Sequence, residues 1–209
     1  RDAHLHPRDA TGVESLEPEP VARAVAAVRA AAPGVPVGVT TAAWAEPDPY
    51  RRAALVRSWT VLPDHASVNW HEEGAAMVAE SLLERGVGIE AGIFSGTDGA
   101  ERFLAWPGAG RVLRVLAEVT DPDPRTAAAT GRDLLERLRD AERPVLLHGE
   151  EGGAWPVLRL AAELGLDTRI GLEDTLLLPD GRPAADNAAL VRAGRAIVTD
   201  GDGPSPLSG

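Results

Sequence analysis

Short apolar segments alternate with longer stretches of helical periodicity along the whole chain. Residues 3–7, 36–41, 66–70, 87–94, 112–118, 144–148 and 168–173 have the length and apolar content of strands. Residues 20–32, 50–59, 75–85, 99–106, 126–140 and 155–164 read as amphipathic helices between them, and 184–195 as a last helix. Leu134, Leu135 and Leu138 show the three- and four-residue spacing that gathers apolar side chains on one helix face. Pro20 suits a first helical turn, and Pro33-Gly34 stops the helix it opens. Pro36 and Pro144 fall at strand starts, where a missing donor is tolerated. The Gly/Pro/Ser-rich residues 200–209 read as a frayed tail.

Strands alternating with helices over short connections predict a parallel sheet covered by helices, an α/β fold. The pattern gives about seven β/α units, whereas a closed (β/α)8 TIM barrel needs eight and about 250 residues. A doubly wound open sheet is the rival. The barrel is preferred, as one domain over residues 1–209 whose first β/α unit is absent from the chain. The chain begins inside a strand, and polar residues sit at the C-terminal ends of many strands, which converge on one mouth in a barrel.

At 209 residues, 44% hydrophobic and 25% charged, the chain has ample material for a core. A net charge of -11 argues against broad binding to nucleic acid or to an anionic membrane. No apolar run approaches the ~18 residues needed to span a bilayer. The start, Arg1-Asp2-Ala3-His4, lacks a signal-peptide pattern, and the expected location is the cytoplasm. Cysteine is absent, which removes disulfides, thiolate metal ligands and thiol nucleophiles. All 21 basic residues are arginine, so there is no Schiff-base lysine, carboxylated lysine or P-loop lysine.

His4 and His6 lie two apart on a strand, so both imidazoles project from one face. That pair suits zinc or a similar divalent cation, although two histidines near a terminus also occur without a ligand. The second feature is Arg169-Ile170-Gly171-Leu172-Glu173-Asp174. Read as a strand, it aligns Arg169, Gly171 and Glu173 on one face. An arginine beside an aspartate can orient the carboxylate or bind an anionic substrate, and it can equally be a structural ion pair.

His4-Leu5-His6-Pro7-Arg8-Asp9 resembles the H-x-H-x-R-D strand end of the beta-keto acid cleavage enzymes, the family of 3-keto-5-aminohexanoate cleavage enzyme. Arg169–Asp174 is similar to that family's R-x-G-x-E-D motif, and residues 176–178, Gly181 and 187–191 continue the likeness. The resemblance implies a TIM barrel and a divalent metal, usually zinc, held by His4, His6 and Glu173. It implies an acyltransferase in which Arg169 and Asp174 help generate a carbanion from a beta-keto acid. That carbon attacks acetyl-CoA, and cleavage yields acetoacetate and a new acyl-CoA. A homo-oligomer is also implied.

The middle of the chain departs from the family pattern. Thr40-Thr41-Ala42-Ala43 stands where the family has S-T-G-G, keeping a hydroxyl at Thr40. Asn69-Trp70-His71-Glu72 replaces a small turn, and Ile89-Glu90-Ala91-Gly92 keeps one carboxylate, Glu90, at a strand end. Thr40 and Glu90 join Arg169 and Asp174 as candidate catalytic residues. Glu118, His148 and Glu150 end strands with no matching family motif; His71 and His148 are candidates for extra acid/base groups or a second metal's ligands, with a solvated or hydrogen-bonded rim histidine as the favoured reading. His65 is expected at the opposite, stability face. Trp44, Trp70 and Trp155 are candidate pocket walls, Trp59 and Trp106 packing residues. Arg8 is a candidate for a substrate carboxylate or a partner for Asp9. Two other functions stay open: a metal-dependent hydrolase of the same barrel type, and a non-catalytic relative that binds a metabolite.

Overall fold

A computed structural model describes residues 2–201. Its elements are β1 (Ala3–Leu5), α1 (Pro18–Ala31), β2 (Val37–Val39), α2 (Pro49–Ser58), β3 (His65–Asn69), α3 (Ala75–Glu84) and β4 (Gly88–Phe94). They continue with α4 (Gly99–Leu104), β5 (Arg114–Val119), α5 (Ala127–Arg137), β6 (Val145–Gly149), α6 (Ala154–Glu163) and α7 (Asn187–Gly201). Six strands make one sheet in the order β1-β2-β3-β4-β5-β6, and the first three pairings are parallel. A doubly wound sheet reverses its strand order at a switch point. No reversal occurs among the described strands, so the winding is that of part of a (β/α) barrel.

The expected seventh strand is not formed. Residues 168–173 are extended only at the start, where Asp167 makes an isolated parallel bridge to Leu146 and its carbonyl accepts from Leu147 N at 2.9 Å. From Gly171 the backbone turns, with Asp174 N and Thr175 N both donating to the Gly171 carbonyl. A segment with one neighbour gains half the ladder bonds of an inner strand, and this turn wins over continued pairing. The shared face expected for Arg169, Gly171 and Glu173 goes with it. The last helix starts at Asn187 rather than 184, where Asp186 Oδ1 caps Ala189 N at 2.7 Å. Of the expected tail, residues 200 and 201 belong to α7, and 202–209 lie outside the described residues.

The chain divides into two compact units. The first holds residues 1–93, 97–115 and 140–144. Its strands alternate with a period of two. Val37, Val39, Ala66, Val68, Ile89, Ala91 and Ile93 are buried on one face, where α1 packs on β2 and α3 on β3. The opposite face carries His4, Gly38, His65, Ser67, Asn69 and Glu90. Strands buried on both faces ordinarily read as continuous apolar runs, and the polar second face of these strands departs from that.

Among the described residues the second unit holds 94–96, 116–139 and 145–201. Here Ala117, Val119 and Leu147 are buried apolar residues that alternate with the buried polar Glu118 and His148. Helix α6 packs on β6 and α7. Trp155, Leu158 and Leu190 form a core against which Ile170, Leu178 and Ile197 pack. No helix of the described residues is long and apolar enough to cross a membrane.

Candidate functional site

In the first unit His4 lies in β1 and His6 just beyond it, with ring centroids 5.3 Å apart and edge to face. His6 Nδ1 is 3.0 Å from Glu14 Oε2, and His4 Nδ1 is 3.7 Å from Glu90 Oε2. The first is a hydrogen bond; the second is too long for one. A carboxylate only accepts, so His6 Nδ1 carries a proton and donates it to Glu14. That is the arrangement in which metal-binding histidines are held.

Glu90 sits third in β4, four residues before the strand's end rather than at it. Its Oε1 accepts from Arg114 Nε at 2.7 Å, and His65 Nε2 lies 3.4 Å from Oε2. Burial raises the Glu90 pKa, but the contact with His4 and the charges of His65 and Arg114 outweigh it and hold it at about 2. Burial lowers the pKa of His65, against the opposing charge of Glu90. The His65 ring lies so close to Gly38 that a Cβ there would be 2.2 Å from Nε2. Asp2, His65 and Glu90 offer ligand atoms within 4.8 Å of one another. The Arg114 guanidinium already pairs with both carboxylates, so that cluster is a closed ion network.

Thr40, just past β2, is buried, and its Oγ1 accepts from Ala42 N at 3.2 Å. The departures from the family pattern in this unit have structural work. Trp70 is buried against Phe103 and Trp106, so it packs and does not wall a pocket. Glu72 Oε2 accepts from Arg52 at 2.8 Å and from Ala43 N at 2.9 Å, and Oε1 accepts from Asn69 Nδ2 at 2.9 Å. It therefore ties the turns after β2 and β3 together, and the carbonyl of His71 accepts from Arg102 beside it. Trp59 and Trp106 are packing residues, Trp59 donating to the Leu16 carbonyl. Trp44 is exposed and stacked on His6. Arg8 pairs with Glu14 and the Gly12 carbonyl.

The second unit gathers Arg169, Glu173 and Asp174. Arg169 Nε and Nη2 donate to Asp174 Oδ1 at 3.2 and 3.0 Å, and Nη2 is 3.1 Å from Glu173 Oε1. His148 is no rim histidine. It lies inside β6 with no exposed surface, Nδ1 3.2 Å from Asp174 Oδ1 and Nε2 3.3 Å from Glu118 Oε2. The sequence showed where the strand ended but not which carboxylates would close over the ring.

Both ring nitrogens of His148 face acceptors, which requires the imidazolium. Burial and the Arg169 charge lower its pKa, but Asp174 and Glu118 outweigh them and raise it to about 9. Burial likewise raises the Glu118 pKa, and His148 more than reverses that. A hydrogen bond with Glu118, with burial second, raises the Glu150 pKa, so Glu150 holds its proton where an ordinary carboxyl has lost it. Both cations contact the same oxygen of Asp174, Oδ1.

Glu151 adopts φ 48°, a left-handed conformation uncommon outside glycine, and its N–H donates to the Asp174 carbonyl. That bond fixes the turn bearing Glu173 and Asp174. Beside it opens a cleft of about 680 Å³ lined by Trp155, Leu172, Leu176, Leu177, Glu173 and Asp174 among others. Trp155, expected as a pocket wall, lines it and holds its far side by donating to the Leu177 carbonyl at 2.8 Å.

Residues 112–204 match the family model described as beta-keto acid cleavage enzyme. That span contains Glu118, His148, Arg169, Glu173 and Asp174. No curated protein compared with the chain matches it.

Proposed function

We propose a reaction for this chain from the match of its residues 112–204 to the beta-keto acid cleavage enzyme family. A beta-keto acid, R–CO–CH2–COOH, and acetyl-CoA react to give acetoacetate and R–CO–CoA. The bond between the keto carbon and C2 breaks, a bond from C2 to the acetyl carbon forms, and CoA passes from the acetyl group to R–CO. Atoms balance without water or an oxidant. The family match carries the substrate class, and the grip of Arg169 on Asp174 is the structural observation that supports the chemistry.

The family resemblance implies a divalent cation, and two imidazoles with a carboxylate are donor types that zinc takes. His4 and His6 have Nδ1 turned to carboxylates, and Glu173 adds an anionic oxygen. His4, His6 and Glu173 would hold the cation, zinc in this reading, which supplies Lewis-acid polarisation of the keto oxygen. Asp174 takes a C2 proton of the keto acid and returns it to C2 when the bond to the keto carbon breaks, while Arg169 and His148 hold Oδ1 and keep the carboxylate aligned. The Thr40 hydroxyl donates to the substrate while its oxygen accepts from Ala42 N. Glu90 balances the charge next to His4. The cleft beside Glu173 and Asp174 receives the acyl chain R. The reading places the chain in the cytoplasm, where CoA thioesters are made and used, as a homo-oligomer.

Metal content tests this reading against a two-metal hydrolase. Zinc-loaded chain freed of loose ions should retain one ion per chain, and Glu173→Ala should release it more readily. Two tightly held ions, or retention indifferent to Glu173, would favour the hydrolase.

A further inference from the structure

We infer that Glu14 is a positioning residue that fixes His6 as its Nδ1–H tautomer, with Trp44 locking the carboxylate in place. The inference deepens the metal reading above and rests on it for its consequence.

The chain builds this contact by reversing direction after β1. Asp9 Oδ1 accepts from Thr11 N, Thr11 Oγ1 and Val13 N, an Asx-type turn that Gly12 completes at φ 87°. Asp9 N donates to the Val13 carbonyl and Ser15 N to the Pro7 carbonyl, both at 2.8 Å, and Arg8 bridges to Glu14. The turn delivers Glu14 back beside the histidine eight residues earlier. Asp9 is thus occupied with the turn, and Arg8 brackets it by donating to the Gly12 carbonyl at 2.8 Å.

Glu14 Oε2 takes two donors, His6 Nδ1 at 3.0 Å and Trp44 Nε1 at 2.7 Å. An indole N–H only donates, so Trp44 cannot be satisfied by the ring nitrogen of a neighbour in the same role, and the shared oxygen couples the two residues. The indole also stacks on His6, with centroids 6.0 Å apart and planes 20° apart. Trp44 therefore fixes the plane of the imidazole while Glu14 fixes its proton. An exposed tryptophan in a loop is explained by this contact, with no need for a substrate.

Two measurements on the whole chain test this. In the metal-free protein, ¹⁵N correlation spectra of the histidine rings should show His6 as the Nδ1–H tautomer, with mixed tautomers in Glu14→Ala. In the zinc form, competition with a chromophoric chelator should show affinity lower by about 10–100-fold in Glu14→Ala and by less in Glu14→Gln, whose carbonyl can still accept. Glu19→Ala removes an equal charge from α1, where Glu19 pairs with Arg23, and should change affinity by less than about twofold. Should Glu14→Ala fail to fold, Trp44→Phe, which keeps an aromatic ring but frees the carboxylate to move, should also mix the tautomers. Unchanged tautomers in the folded variants, or an equal loss in Glu19→Ala, would overturn the role of Glu14. A wild-type chain that binds no zinc would overturn the metal reading, while the tautomer spectra would still decide for or against Glu14.

Discussion

His148 Nδ1 lies 3.2 Å from Asp174 Oδ1, on the oxygen that Arg169 also grips. A fully buried imidazolium thus joins the catalytic carboxylate of the proposed reaction to Glu118, 3.3 Å from its other nitrogen. Replacing His148 by alanine strips two buried carboxylates of a shared counter-charge. The expected cost is about 3–5 kcal/mol of unfolding free energy by urea titration. A loss below about 1 kcal/mol would mean that the pairing carries little.

The same contacts set a pH dependence. His148 is raised from 6.5 to about 9, so its contribution to stability is complete below pH 6.5 and is lost as pH rises through 9. Glu150, raised by its bond to Glu118, acts in the same direction. Thermal midpoints should therefore fall between pH 6.5 and 9, and fall less in His148→Gln. A wild-type midpoint that is flat or rising over that window would refute the assignment.

Gly38 is the contact on which His65 rests. A methyl group there would be 2.2 Å from Nε2 and 2.5 Å from Cδ2 of a buried ring. Gly38→Ala should cost about 1–3 kcal/mol despite alanine's better fit to a strand, and should move the His65 ring signals in NMR spectra. Equal stability to the wild type would show that the ring has room to move.

Arg169→Lys keeps a charge but cannot reproduce contacts from two nitrogens to Asp174 together with one to Glu173. Turnover should drop roughly 100-fold, since loss of alignment alone costs that much. Steady-state kinetics with full turnover in the lysine variant would detach Arg169 from the mechanism.

The alternation of strands and helices was legible because it depends on local periodicity: Ser67 and Asn69 alternate with Ala66 and Val68 within one strand. The segment around Arg169 was not, because its sequence suits a strand while its edge position leaves Asp167 one bridge and lets Gly171 turn. His4 and His6 declared themselves by spacing. Glu14 did not, since its value comes from a reversal that rests on Asp9 and Gly12 rather than on any pattern of its own. The complete burial of His148 was hidden for a related reason. Its burial is made by Glu118 and Asp174, residues far from it in sequence, and a strand-end histidine looks the same whether solvent or carboxylates cover it.

The most direct test is turnover by the zinc-loaded chain, supplied with acetyl-CoA and a panel of beta-keto acids and followed by mass spectrometry. Acetoacetate and a new acyl-CoA should form in equal amounts for at least one keto acid and vanish in Asp174→Asn. A folded, metal-loaded protein that forms neither product, or forms both undiminished in Asp174→Asn, would contradict the proposed reaction.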